Sequence, residues 1–327
     1  LATIKDVAKH AGVSVATVSR YLNKKGYVSE EAKNKIEVSI KQLDYRPNDI
    51  ARSLSTKRMQ TIGLIVPDIT NPFFPEIARA IEDTALLEGY TVVLCNSDEQ
   101  VHKERHYIET LKQKYVAGFI IATNQLEREY YTGLNVPLVL LDRITDSQIP
   151  SVSSRNKNGA ALGTEYLLSC GVKEIACISG PQDVVPAFER TQGFLKAVEG
   201  LDIKTHIVES QFHFKEAEKA AFELLSAHPG IDGIFAGSDI IAIGVQRAVH
   251  RLGLSVPNDI QIVGYDGISL GEMVTPSLTT VDQNIYQLGE TAVKMLLNII
   301  KGKSVDNEHV IIDPSLIVRD STKEKSK

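Results

Sequence analysis

The chain has no apolar run of the roughly 20 residues that a membrane-spanning helix needs. Its first residues, LATIKDVAKHAGVS, are interrupted by charge and lead into no long apolar stretch, so a secretory signal is not expected. Only three cysteines occur, Cys95, Cys170 and Cys177, none in a CxxC pattern. Cys95 and Cys177 fall in apolar runs and Cys170 near a helix end, so free buried thiols in a reducing cytoplasm are expected rather than a disulfide. No GxGxxG opens a helix after a strand, and no GxxxxGK[ST] occurs. Nucleotide-dependent enzymes therefore lack their signatures. His102 and His106 stand four apart, but HKERH is not the HExxH order and no third ligand is evident, so they read as an exposed helix face. No metal and no cofactor are expected, and the basic head and two-lobed fold read below argue for binding without turnover.

What is present is a soluble globular composition: 327 residues, 43% hydrophobic, with room for two or three domains. The net charge of −5 conceals an asymmetry. Residues 1–60 carry 12 Lys and Arg against 6 Asp and Glu, whereas the remainder carries 24 against 35. A basic head on an acidic body points to a polyanion partner for the head alone.

The head reads as short helices. Thr3 can cap a helix from Ile4, with Asp6 in its first turn, and Gly12 breaks it. Ser14 caps a second helix through VATVSRYLN, and Ser29 opens a third with Ala32, Ile36, Ile40 and Leu43 on one face. Helix, glycine-containing turn and helix is the layout in which a second helix enters the DNA major groove by its N-terminal residues. Val15 and Ala16 would enter first and offer apolar contact, for example to a thymine methyl. Arg20, one turn on, can donate twice to a guanine. Thr3, Ser14, Thr17, Ser19, Asn23 and Tyr45 suit phosphate contacts. Residues 48–58, NDIARSLSTKR, have too small an apolar face to hold a helix alone and read as a hinge.

From Thr61 the pattern changes. Apolar runs (TIGLIVP, TVVLC, AGFIIA, PLVLLD) alternate with amphipathic helices, and the alternation restarts after residue 155 with EIACIS, THIVES, DGIFAG and IQIVGYD. Continuous apolar strands between helices imply parallel sheets covered on both faces. The fold class is α/β: two doubly wound parallel-sheet lobes behind an all-α head. The expected domains are a head over 1–46, a hinge over 47–60, a core over 61–320 and a disordered tail over 321–327. Within the core, one lobe takes 61–155 and 285–303, and the other 156–284 and 304–320. Ligands of such sheets lie at the carboxyl ends of strands. Asn71, Phe73 and Phe74, then Asp142 and Arg143, then Asp266 all follow strands, and Gln283 stands at a lobe crossing. Their amides, carboxylates, guanidinium and flat rings are what a sugar needs.

TIKDVAKHAGVSVATVSRYLN, YRPNDIARSL and IGLIVPDITNPFF, in this order over essentially the whole chain, resemble the LacI/GalR family of bacterial repressors with its periplasmic-binding-protein-like core. The resemblance implies a homodimer, operator double-stranded DNA as partner and a small effector that switches the core. It also implies a hinge helix whose Leu54, with Ala51 beside it, wedges open the minor groove. The tail DSTKEKSK has no leucine and so lacks the heptad device that makes tetramers of some relatives. The cleft set further resembles the pentose site of ribose-binding proteins and ribose repressors. That likeness adds Arg190 of FERTQGF and Phe212 of ESQF, with Phe214 as the alternative to Phe212, and favours D-ribose. Where the family offers an amide before its aspartate, this chain has Ser238 before Asp239, and a hydroxyl would replace the amide. Two rival readings are an exported sugar-binding protein, which should lack the basic head, and a Rossmann-type sugar enzyme, which should carry a nucleotide motif.

Overall fold

A computed structural model describes residues 2–22, 26–45, 60–123, 126–142, 149–303 and 308–324. The chain divides into two compact units, 1–59 and 60–327. Ala51, Leu54 and Asn23, and the whole expected hinge helix, lie outside the described residues.

The first unit holds α1 (Ile4–Ala11), α2 (Val15–Leu22) and α3 (Glu30–Gln42). Thr3 and Asp6 cap α1 reciprocally, and Gly12 ends it at φ 66°, the left-handed conformation that glycine adopts without strain. Ser29 caps α3 by accepting from the Ala32 amide. Helices this short are marginal alone, and here they are held by a shared core of Val7, Ala8, Ala11, Val18, Val28, Ile36 and Tyr45. Tyr21 adds a tie between α2 and α3, donating to Glu37 at 2.5 Å.

The second unit contains two six-stranded sheets. The first lobe uses β1 (Thr61–Val66), β2 (Thr91–Asn96), β3 (Gly118–Ile121), β4 (Leu138–Leu141), β5 (Ser151–Ser154) and β11 (His309–Ile312), in the order β11-β5-β4-β3-β1-β2. Its helices are α4 (Phe73–Leu87), α5 (Val101–Gln113), the short α6 (Arg128–Thr132) and α12 (Ile285–Ile300). The second lobe uses β6 (Glu174–Ser179), β7 (Lys204–Glu209), β8 (Gly233–Ala236), β9 (Gln261–Asp266), β10 (Thr279–Asp282) and β12 (Ser315–Ile317), in the order β12-β10-β9-β8-β6-β7. Its helices are α7 (Asn156–Ser169), α8 (Val185–Val198), α9 (Phe214–Ala227), α10 (Asp239–Arg251) and α11 (Leu270–Met273). All pairings are parallel except β10 with β12. Apolar clusters on both faces of each sheet account for the continuous apolar strands.

The chain passes between lobes three times: at Arg155, at Gln283–Asn284 and at Asp313–Pro314. The third crossing corrects the expected division at 303/304. His309–Ile312 pairs in parallel with Ser151–Ser154 and therefore belongs to the first lobe. The strand change falls at Asp-Pro, where proline cannot continue the ladder. Arg155 Nε donates to Asp313 Oδ1 at 2.6 Å, joining two of the crossings. The tail also begins later than expected. Ser321 is buried, donating to the Ile262 carbonyl at 2.6 Å and accepting from the Thr279 amide at 2.8 Å, and Thr322 is buried beside it.

α7 and α8 approach closely because Gly193 has no side chain: a Cβ there would stand 2.1 Å from the Lys157 carbonyl oxygen. Backbone cannot swing aside as a side-chain tip can. Gly193→Ala is therefore expected to lower stability by about 1–3 kcal/mol, the usual cost of overpacking. Urea denaturation checks it, and an unchanged midpoint would refute the contact as a constraint.

Candidate functional site

The first unit presents one polar, partly apolar helix face. Ser14 Oγ accepts from the Thr17 amide at 3.1 Å and lies 2.8 Å from Thr17 Oγ1, fixing the start of α2. Val15, Ala16 and Arg20 are exposed, Thr17 and Ser19 are half-buried, and Val18 points into the core. The exposed N-terminal face of α2 thus carries two apolar side chains and an arginine. Thr3 is committed to its own capping box. Tyr45 is placed otherwise than a phosphate contact requires, since it packs in the core with only 9% exposure.

In the second unit, a cleft cavity of about 220 Å³ opens between the carboxyl ends of the two sheets. Eight residues expected from sequence line it: Asn71, Phe73, Phe74, Asp142, Arg190, Phe212, Asp266 and Gln283. Asn71 Oδ1 accepts from the Phe73 amide at 3.2 Å, turning the chain so that α4 begins with two aromatic residues. Their rings meet edge to face with centroids 5.2 Å apart. Phe212 rather than Phe214 faces the cavity, while Phe214 starts α9. Room for the Phe212 ring comes from Gly180, where a Cβ would lie 2.3 Å from Phe212 Cζ.

Arg190 is the polar centre. It projects from α8, is buried, and lies over the Tyr265 ring with Cζ 3.9 Å from the centroid. Its Nε donates to Asn156 Oδ1 at 2.9 Å, and its Nη1 donates to the Gly237 carbonyl at 2.7 Å and to Asp266 Oδ1 at 3.0 Å. Nη2 has only Asp142, at 3.9 Å. Asn156 Nδ2 in turn donates to Asp142 Oδ1 at 3.1 Å, and Gln283 Nε2 donates to Asp266 Oδ1 at 2.7 Å. Gln283 Oε1 is buried without a hydrogen-bond partner. Burial works against the charge of Arg190, but Asp266, Tyr265 and Asp142 together hold its proton more firmly than in free arginine. Burial pushes the Asp266 carboxyl up to about 6 despite the opposing charge of Arg190.

Two expected cleft residues remain to be placed. Arg143 lies outside the described residues. Ser238 is not in the cavity lining but caps α10, its Oγ accepting from the Ile241 amide at 3.3 Å. Asp239, next to it, accepts from the Gly267 and Ile268 amides, each at 2.9 Å. Asn156, Gly180 and Tyr265 were not singled out in the sequence. Only Asn156 carries a readable signal, standing just after a strand, as Asp142 does. Among the described residues no group of three or more His, Cys, Asp or Glu could hold a metal ion, and no helix is long and apolar enough to cross a membrane.

The cleft therefore offers free acceptors (Gln283 Oε1 and the second oxygen of Asp266), a guanidinium edge and three aromatic rings. It suits a small neutral molecule with several hydroxyls and apolar C–H faces.

Comparison with known proteins agrees with this division. Residues 3–48 match the description "Bacterial regulatory proteins, lacI family", and residues 59–323 match "Periplasmic binding proteins and sugar binding domain of LacI family". The chain is 52% identical over 323 residues to the ribose operon repressor of Halalkalibacterium halodurans, covering 99% of this chain and 98% of that one. The crystal structure of the lac repressor dimer bound to operator and the anti-inducer ONPF aligns with a TM-score of 0.88 at 29% identity, covering 98% and 99% of the two chains. A LacI family transcriptional regulator from Enterococcus faecium with bound ribose aligns with a TM-score of 0.73 at 32% identity, covering 80% and 98%.

The raised Asp266 carboxyl has a consequence for stability. Its usual value is 3.8 and its folded value about 6, so between these the folded state holds a proton that the unfolded chain has released. The contribution favouring the fold is complete below 3.8 and is lost as pH rises through about 6. The stability of the wild type minus that of Asp266→Asn is expected to fall by about 3 kcal/mol between pH 3.5 and 7.5. Paired denaturation curves across that range measure it. A difference that is flat or rises with pH contradicts the assignment.

Proposed function

The chain belongs to the LacI family of bacterial regulatory proteins, and from that premise we propose that it is the repressor of a ribose-utilisation operon, acting as a homodimer released from operator DNA by D-ribose. The observation that carries the effector reading is the convergence of Asn71, Phe73, Phe74, Asp142, Arg190, Phe212, Asp266 and Gln283 on one cleft between the lobes. A cavity of about 220 Å³ is smaller than the roughly 300–1,000 Å³ typical of drug-sized ligands and suits a monosaccharide. The phenylalanines cover the C–H faces of the ring. Its hydroxyls supply a donor to Gln283 Oε1 and acceptors to Arg190 Nη2.

The DNA reading rests on the exposed face of α2 and on the basic charge of residues 1–60. Two heads on a symmetric operator require a dimer. The apolar side chains for its interface stand ready on the first lobe: Leu86 and Leu87 at the end of α4, and Val93 and Leu94 on the edge strand β2, are all exposed. A long apolar edge left open invites a partner. Repression needs no turnover, so the protein binds its sugar without altering it, and it works in the cytoplasm, where operator DNA is found. The sugar shifts the equilibrium between DNA-competent and DNA-incompetent arrangements only by binding one of them better.

Calorimetry with free pentoses, hexoses, a disaccharide and pentose phosphates, followed by operator binding in their presence, tests the proposal. D-ribose is expected to bind and to lower operator affinity. Tight binding of a hexose or disaccharide with no pentose binding would overturn it. Asp266→Ala is expected to stay on operator DNA when ribose is added, because the variant leaves Arg190 buried without its counter-charge while the DNA-contacting residues are untouched. A wild-type response from Asp266→Ala would remove Asp266 from the site. In the head, Arg20→Ala should lose about 1–3 kcal/mol against a guanine-containing half-site and little against the same site with that base replaced. Gel-shift titration of both sites decides it, and equal losses on the two would show that Arg20 does not read the base.

A further inference from the structure

Asp266 ends β9 at φ 124°, a conformation that residues with a Cβ rarely adopt, and Gly267 follows at φ 79°. Such strain persists only where the surroundings over-determine it. Part of the restraint is the ladder to β10, in which the Gln283 amide donates to the Asp266 carbonyl at 3.2 Å. The rest comes from Asp239, which is fully buried at the start of α10 and does not line the cleft. Its Oδ2 accepts from the two amides that follow Asp266, those of Gly267 and Ile268, both at 2.9 Å. Its Oδ1 accepts from the Thr280 hydroxyl at 2.5 Å, which fixes the rotation of the carboxyl group.

The surroundings are shaped around this group. A Cβ at Gly264 would stand 2.2 Å from Asp239 Oδ1, and one at Gly267 would stand 2.5 Å from Asp282 Oδ1. Capping of α10 does not explain Asp239, because Ser238 does that work. Burial, then the neighbouring charge of Asp266, raises the Asp239 carboxyl well above the usual carboxylate range. An apolar residue here would avoid that cost but would leave the buried Ile268 amide and the partly buried Gly267 amide without an acceptor.

We propose that Asp239 is a positioning residue for the effector site, clamping the turn after Asp266 so that the Asp266 carboxylate faces Arg190, Gln283 and the cleft. Without the clamp, the backbone at Asp266 relaxes toward extended values. Its side chain then turns away from Arg190. The proposal rests on reading the cleft as the sugar site, and it extends the determinants of binding to a residue that the ligand does not touch.

The test uses the full-length chain with D-ribose as probe. Asp239→Ala is expected to bind ribose at least tenfold more weakly while still binding operator DNA. Thr280→Val, which nearly keeps the shape of threonine but frees the Asp239 carboxyl, is expected to lose threefold or more, and it serves where the alanine variant does not fold. The readout that a merely structural role would not move is the background dependence. In an Asp266→Asn chain, whose residual ribose binding is measured first, either second substitution should change affinity by less than twofold. Thr280→Val binding like the wild type, or the same loss appearing in the Asp266→Asn background, overturns the proposal. A wild type that binds no pentose overturns the sugar reading instead. The clamp is then judged without ligand, from the pH-dependent stability difference between Asp266 and Asp266→Asn chains. That difference should shrink when Thr280→Val is present, and an unchanged difference sinks the clamp.

Discussion

The buried pair of Arg190 and Asp266 is the constraint around which the second unit is arranged. A guanidinium taken out of water is costly unless its donors are met and its charge is matched. The chain meets that demand from three places far apart in sequence: Asn156 at the start of α7, Gly237 after β8, and the end of β9, where Asp266 pairs with the guanidinium and the Tyr265 ring lies beneath it. Each of these positions belongs to the carboxyl edge of the second sheet or to the helix beside it. The parallel order of strands, with every β9-side carboxyl end on one edge, is what allows a single arginine to reach them all. Nη2 of Arg190, 3.9 Å from Asp142, and the unpartnered Oε1 of Gln283 set the polar chemistry that the cleft presents.

The three crossings give the cleft its freedom. Links at Arg155, Gln283–Asn284 and Asp313–Pro314 join the lobes, and one of them also carries a cleft residue. Gln283 donates to Asp266 from within a crossing, so the geometry of the hinge and the geometry of the ligand site are not independent. A change in the angle between lobes must move Gln283, or its neighbours, relative to Asp266. This is the physical form that coupling between ligand and lobe arrangement takes in the molecule.

Much of this was legible in the sequence, for reasons that also explain the omissions. Parallel strands covered on both faces write themselves as continuous apolar runs, so both sheets and their long helices could be placed, and Asp142, Asp266 and Phe73 followed from standing at strand ends. β11 was misassigned because His309–Ile312 is short and one-sided, and its partner Ser151–Ser154 is polar in sequence. Nothing local distinguishes the sheet such a strand joins, since that is set by a partner some 158 positions away. Arg190 and Phe212 came only from family likeness, because a helix interior and a loop give no local sign of facing a cleft. Ser238 was misjudged in the opposite way: a serine before a helix is first of all a cap, and the backbone amide of Ile241 claimed its oxygen. The burial of Ser321 and Thr322 was hidden by the polar sequence around them, as their role is to satisfy backbone groups of β9 and β10.

The polar contacts that run from lobe to lobe bear on how the molecule can switch. Asp142 reaches Asn156 at 3.1 Å and Arg190 only at 3.9 Å, Glu76 accepts from the exposed Ser269, and His213 lies 3.8 Å from Asp68. The exposed pairs among them, Glu76 with Ser269 and His213 with Asp68, contribute about 0–1 kcal/mol each. By themselves these two pairs hold one lobe angle only weakly against another, while Ile268 of the second lobe adds apolar packing against the first-lobe core. The strong contacts, the Arg190–Asp266 pair among them, lie within the second lobe and survive any rigid rotation. A ligand that touches Asn71, Phe73 and Phe74 on one side and Arg190, Asp266 and Phe212 on the other makes its full set of contacts at a single separation of the lobes. Moving a two-state equilibrium from about 1:99 to 99:1 takes roughly 5.5 kcal/mol of differential affinity. A cleft whose polar partners are divided between the lobes is the condition under which a small, uncharged ligand can supply that difference.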